Sequence, residues 1–135
     1  MTRPSGLDLS DRQNLSDKVL GSAAQALPSG SEIEMFATPL FAYPSRGKPL
    51  QGDLVLFLAS GMVYVAASKL FGGGKVVWQS PVSDFRGGST GLHMGGCPNY
   101  EFDAQLNGSQ VKFVFMTFDA AEQVAARIRA AKEWG

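Results

Sequence analysis

The sequence predicts an α+β fold: a strongly bent antiparallel sheet of about seven strands, closed at one end by a C-terminal helix, with an additional N-terminal helix. Three observations carry this. Val111 to Trp134 pass from strand alternation into helical periodicity with no linker between. Between Glu32 and Leu106, short alternating apolar runs are broken by Gly, Pro and Asn turns at hairpin spacing. Residues from about 11 to 27 repeat apolar side chains every four positions.

Residues 1–9 carry Pro4 and Gly6 and little apolar weight, which reads as a flexible tail. Residues 10–135 read as a single domain. In the first helix, about 11–27, Leu15, Val19, Ala23 and Leu27 form the stripe. Ser10 with Gln13 is one possible capping box, and Ser16 is a later start. Pro28, Ser29 and Gly30 end it. The sheet region spans about 32–118. Ile33, Met35 and Ala37 alternate with Glu32, Glu34 and Phe36, and the first strand resumes through Leu40 to Tyr43. Pro39 has no N–H to donate, so it marks a bulge or an edge within that strand. Asp53 to Ala59 is apolar on both faces, which suggests cover on both sides. Ser60-Gly61 fits a tight hairpin turn into Met62 to Ala67. "VVWQS" resumes after the triple glycine, "VSDFRGGSTGLHM" is an interrupted strand, and "YEFDAQL" alternates again. Asn107-Gly108 is the strongest hairpin signal in the chain, because both residues tolerate positive φ. In the last strand Val111, Phe113, Phe115 and Thr117 face one way, and Lys112, Val114, Met116 and Phe118 the other. The closing helix, about 119–134, takes Asp119 as N-cap with Glu122 completing a capping box. Val124, Ile128 and Ala131, flanked by Ala121 and Ala125, are its apolar stripe.

The chain has 135 residues, one domain's worth, with 12 basic and 12 acidic side chains and a formal net charge of zero. No long-range field favours nucleic acid. The single cysteine, Cys97, cannot form an intramolecular disulfide, and with one histidine, His93, it cannot build a Cys/His zinc site. The N-terminal stretch has no apolar run of signal-peptide length, and no run is long enough to span a bilayer. The expectation is a cytoplasmic protein, at most peripheral at a membrane.

Several segments resemble bacterial members of the pleckstrin-homology-like superfold and their GRAM-type relatives. "GDLVLFLASGMVYVAAS" (Gly52 to Ser68) is similar to their second-and-third-strand hairpin. "VVWQSPVSDF" (Val76 to Phe85) resembles their fourth strand, and "FVFMTFDAAEQVAARIRAA" their last strand and helix. The turn Ala59 to Met62 departs from the pattern, lacking the charged step common there. The resemblance covers about Glu32 to Trp134. It implies a bent sheet or barrel capped by the helix, and a scaffold that binds phosphoinositides, peptides or protein surfaces, or assembles with its own copies.

"GGGK" (Gly72 to Lys75) lacks the spacing and the following helix of a phosphate loop and reads as a hairpin loop. "GGSTGLHMGG" lacks dinucleotide-binding spacing. Ser83, Asp84 and His93 hold the letters of a hydrolase triad without its elbow or oxyanion hole. Cys97 has no electropositive neighbours in sequence to activate it. No cofactor or metal is expected, and no enzymatic activity; a small-molecule enzyme, with a pocket formed by glycine loops at a barrel mouth, is only the second alternative.

In a pleckstrin-homology-like arrangement the first and third hairpin loops open at one end. That would gather Arg46, Lys48, Lys69 and Lys75 there, with Leu70 and Phe71 at the tip. Such cations read first as solvated loop charge. The alternative is an anionic ligand or lipid headgroup, with Leu70 and Phe71 as membrane or partner contacts. The expected function is non-catalytic binding or assembly: a protein partner or self-association first, anionic lipid second, with no nucleic acid and no transmembrane segment. A sheet edge is open to strand addition, and Trp78, Trp134 and Phe71 are large apolar groups that would pack inward or meet a partner.

Overall fold

A computed structural model of the chain describes residues 4–10, 16–45, 48–50, 53–68, 74–85, 90–92, 100–106 and 109–134. Nine strands and two helices follow in order among them: β1 (Leu7–Asp8), α1 (Asp17–Gln25), β2 (Ile33–Ala37), β3 (Phe41–Pro44), β4 (Leu54–Ala59), β5 (Met62–Ala67), β6 (Lys75–Pro81), β7 (Thr90–Leu92), β8 (Tyr100–Leu106), β9 (Ser109–Phe115) and α2 (Phe118–Trp134). A 3-10 turn, Val82–Asp84, follows β6.

The strands form two sheets, one ordered β1-β2-β4-β5-β6 and the other β3-β9-β8-β7. β2 and β3 are two halves of the expected first strand. Pro39 interrupts it, and the halves pair in different sheets rather than forming a bulge in one. Counting them as one bent strand and setting β1 aside, the strands among the described residues number seven. The sheets are not closed into a barrel: among the described residues no ladder joins β6 to β7. A bulge offsets the pairing of β6 between Val65 and Ala66 of β5, and Pro81 ends the strand without a donor.

β4 explains how the layers stack. All six of its residues are buried. Leu54, Leu56 and Leu58 join the main core with Phe113, Phe115, Val124 and Ile128. Val55, Phe57 and Ala59 join a second core with Leu20 and Ala23 of α1 and Phe36 of β2. The first sheet is therefore covered on both faces, by α1 on one and by α2 and the second sheet on the other.

Local chemistry fixes each element. Ser60 (φ 51) and Gly61 (φ 75) both adopt left-handed backbone, so β4 and β5 meet in a two-residue turn with Ala59 opposite Met62. α1 begins at the later start, with the Ser16 hydroxyl accepting from the Val19 N–H at 3.3 Å. It runs to Gln25, and residues 11–15 of the expected helix lie outside the described residues. In β2 an irregular pairing between Ile33 and Met35 reverses the alternation. Ile33 thus packs towards the α1 core while Met35 and Ala37 face the main core. The expected grouping of Ile33 with Met35 and Ala37 is corrected by that bulge. Asn107-Gly108 lie outside the described residues, but Leu106 pairs Ser109 across them.

α2 starts at Phe118, ahead of the expected Asp119, because Thr117 caps it. The Thr117 hydroxyl accepts from the Ala120 N–H at 3.2 Å. Asp119 sits in the first turn and accepts instead from Gln123 Nε2 at 3.3 Å. Ala120, Ala121, Val124, Ala125 and Ile128 are buried against the main core. The far end of the helix is tied down by Lys132, whose Nζ donates to the Phe85 carbonyl at 2.8 Å.

The start of the chain departs from the reading of residues 1–9 as a tail. Leu7 and Asp8 pair in parallel with Met35 and Phe36, and the Leu9 N–H donates to the Phe36 carbonyl at 2.9 Å.

Candidate functional site

Two regions carry side chains that the cores do not use. The first is the end of the molecule from which the β3–β4 and β5–β6 connections leave. Leu54 pairs Ala67, and Ala67 pairs Lys75, so one row of the first sheet carries the mouths of both loops. The Ser68 N–H donates to the Asp53 carbonyl at 3.2 Å and ties them together. α2 packs at the opposite end, beside Glu34, Leu58 and the 3-10 turn. Of the expected basic set, Lys75 is exposed on that row, and Lys48 is exposed in the β3–β4 connection. Arg46, Lys69, Leu70 and Phe71 lie outside the described residues. The third glycine of the triple has a packing role: the Gly74 N–H donates to the Ser22 carbonyl of α1 at 3.1 Å.

The second region is the outer face of the second sheet. Ala42 and Phe113 pair and point into the main core. Their neighbours Phe41 and Tyr43 therefore lie on the other face, opposite Val114, which is fully buried, and Lys112, which like Tyr43 is half-buried. Phe41 is 46 % exposed, and its ring stacks on Tyr43 with centroids 5.9 Å apart. Met116, two residues beyond Val114, is 44 % exposed, and Phe118 at the start of α2 is 38 % exposed. Large apolar side chains are thus gathered where β3 begins and β9 ends. Sequence reasoning set Met116 and Phe118 opposite Phe113 and Phe115 without drawing the consequence. The alternation held the signal: two bulky apolar residues on the face away from the core.

The remaining candidates resolve as structure. Ser83 and Asp84 lie in the 3-10 turn, and the Asp84 carboxylate accepts from the Ser80 hydroxyl at 3.2 Å. His93 and Cys97 lie outside the described residues. Val82 and Phe85 of "PVSDF" are core residues. Trp78 packs half-buried on the main core with its indole N–H buried and unpaired among the described residues. The side chain of Trp134, like Phe71, lies outside the described residues. A groove of about 220 Å³ separates α2 from β2 and β4, floored by Met35, Leu58 and Ala131 and flanked by Glu34 and Arg127. Among the described residues no group of three or more His, Cys, Asp or Glu could hold a metal, and no helix is long and apolar enough to cross a membrane. Comparison with protein-family models gives no match, and comparison with curated proteins gives none.

Proposed function

We propose that the chain is a non-catalytic assembly module of the pleckstrin-homology-like class, recognising a protein surface, in the first instance a further copy of itself, through the outer face of β3 and β9. The class is supported by topology: a first strand bent across two sheets, antiparallel hairpins β4-β5-β6 and β7-β8-β9, and a final helix docked at one end. The single observation that carries the function is the exposed group Phe41, Met116 and Phe118 beside the stacked Tyr43. Aromatic and Met side chains are enriched at interface centres, where shedding their water supplies the binding energy. Phe41 lies at the start of β3, Met116 just past the end of β9 and Phe118 at the start of α2, and exposed apolar groups of this size near one another mark an interaction surface.

The rival reading, an anionic lipid headgroup at the loop end, is favoured by the shared row that carries both loop mouths, with Lys75 on it and Lys48 exposed in the β3–β4 connection. One experiment separates them. Light scattering after size exclusion is run across a concentration series, and flotation with phosphatidylserine vesicles is run in low salt. The wild type is expected to self-associate and not to float. Phe41→Lys with Met116→Lys is expected to be monomeric with an unchanged melting temperature. A wild type that stays monomeric and floats, losing flotation in Lys48→Ala with Lys75→Ala, overturns the proposal in favour of lipid.

A further inference from the structure

We propose that the groove between α2 and the β2–β4 pair binds a small zwitterion with an apolar body, an α-amino acid of leucine or phenylalanine size. The groove measures about 220 Å³. A cavity of about 150 Å³ takes one benzene-sized group. The space therefore suits one large apolar side chain with a short polar head, and is too small for a strand or a helix. Its floor is Met35 of β2, Leu58 of β4 and Ala131 of α2, with Ala130 beside them. Two opposite charges border it from facing elements, Glu34 on β2 and Arg127 on α2. Both are exposed. Among the described residues neither side chain has a hydrogen bond or an ion pair, with the other or with any third group.

The β2 bulge places Glu34. Ile33 pairs Ala59 and Met35 pairs Leu58, so two steps of β2 answer one step of β4, and Glu34 is the extra residue. In an unbroken strand Glu34 and Met35 would point to opposite faces of the sheet. The bulge lets both line one groove while Ile33 turns towards the α1 core. On the other wall Ala130 and Ala131 follow Arg127 by three and four residues, which sets all three on one face of α2. The two residues that could fill the groove from the helix are thus alanines. An apolar floor between unpaired charges of opposite sign matches a ligand that carries both counter-charges. Its ammonium meets the Glu34 carboxylate, its carboxylate meets the Arg127 guanidinium, and its side chain lies over Met35 and Leu58. A fatty acid would set its carboxylate near Glu34 with no ammonium between, and an aliphatic amine would leave Arg127 unpaired.

This site lies beside the second half of α2. Arg127 is roughly 13 Å along the helix from Phe118, so the groove and the assembly face fail separately. The full chain, isotope-labelled, is titrated with L-leucine and with L-phenylalanine and followed by NMR. Saturating shifts at the Met35 and Leu58 methyls and at Ala130 and Ala131 are expected by about 10 mM ligand, tenfold above a millimolar dissociation constant. Glycine lacks the body, 4-methylpentanoate the ammonium and isoamylamine the carboxylate. Each is expected to bind about five-fold more weakly than leucine, or worse. Ala130→Leu, which fills the groove, and Arg127→Gln are each expected to weaken leucine binding by about five-fold or more, with the melting temperature unchanged. Phe41→Lys with Met116→Lys is expected to leave it as it is. No saturable shift with either amino acid overturns the site, as does binding indifferent to both Ala130→Leu and Arg127→Gln. N-acetyl-leucine amide binding as tightly as leucine also overturns it, and makes the occupant an apolar side chain carried by a protein.

Discussion

Gly74 and Thr117 decide where the two helices sit. A Cβ at Gly74 would lie 2.8 Å from the Ala67 carbonyl oxygen, 2.9 Å from that of Ser22 and 3.0 Å from the Ala23 Cα. The last glycine of the triple is therefore a steric requirement for seating α1 against the β5–β6 connection, not only a source of loop freedom. Nothing in "GGGK" distinguishes that role from flexibility, because the α1 surface it meets, Ser22 and Ala23, is far earlier in the chain. Thr117 illustrates a different kind of misreading. The pair Asp119 and Glu122 has capping-box spacing, yet β9 ends at Phe115 and the backbone turns at once. The first hydroxyl after the turn takes the Ala120 N–H. Thr117→Ala should then cost about 1 kcal/mol. Asp119→Ala should cost about 0.3–1 kcal/mol, its contribution resting on the helix dipole. Paired urea titrations measure the difference, and a larger loss from Asp119→Ala would return the cap to that residue.

At the scale of elements, α2 is the piece whose placement matters most, because it seals the main core at the end where β4 and the 3-10 turn arrive. Ile128 is 1 % exposed and Val124 fully buried. Burying each contributes about 1.5–3 kcal/mol, and Ile128→Ala is expected to cost about 2–5 kcal/mol once the cavity it leaves is included. A chemical-denaturation midpoint that does not move in that variant would mean the helix is not docked through this face. The stripe from Ala121 to Ile128 was legible because the helical period depends only on neighbours in sequence. So was the double cover of β4, since six consecutive apolar residues leave no polar face for water. Of the candidate site, hairpin order alone places the mouths of the two loops in one row, Leu54 beside Ala67 and Ala67 beside Lys75, while most of the candidate loop residues lie outside the described residues. Other features depend on partners distant in sequence. The bulge that turns Ile33 towards α1 arises from its register with Ala59. Two leucines spaced by one residue, Leu7 and Leu9, are too short a pattern to announce a strand. β1 exists because β2 offers an edge, and that edge cannot be seen from residues 1–9.

For the whole molecule, the governing fact is that one sheet divides the interior into two cores. Leu20, Phe36, Phe57 and Tyr64 pack on the α1 side. Leu56, Phe113, Phe115 and Ile128 pack on the other. Alternate side chains of β4 feed both, so the clusters share a backbone but no side chains. Substitutions that shrink one core leave the contacts of the other intact, and their costs should add as those of independent sites do. Leu20→Ala and Ile128→Ala are each expected to lower stability by about 2–5 kcal/mol. The double variant should then match their sum to within about 0.5 kcal/mol. To keep all four proteins folded, the cycle is measured with a stabilising osmolyte at one fixed concentration. A coupling above about 1 kcal/mol would mean that a shift in one layer passes through β4 to the other. The sheet would then be a deformable septum between the helices rather than a wall, and α1 and α2 would form one cooperative unit across it.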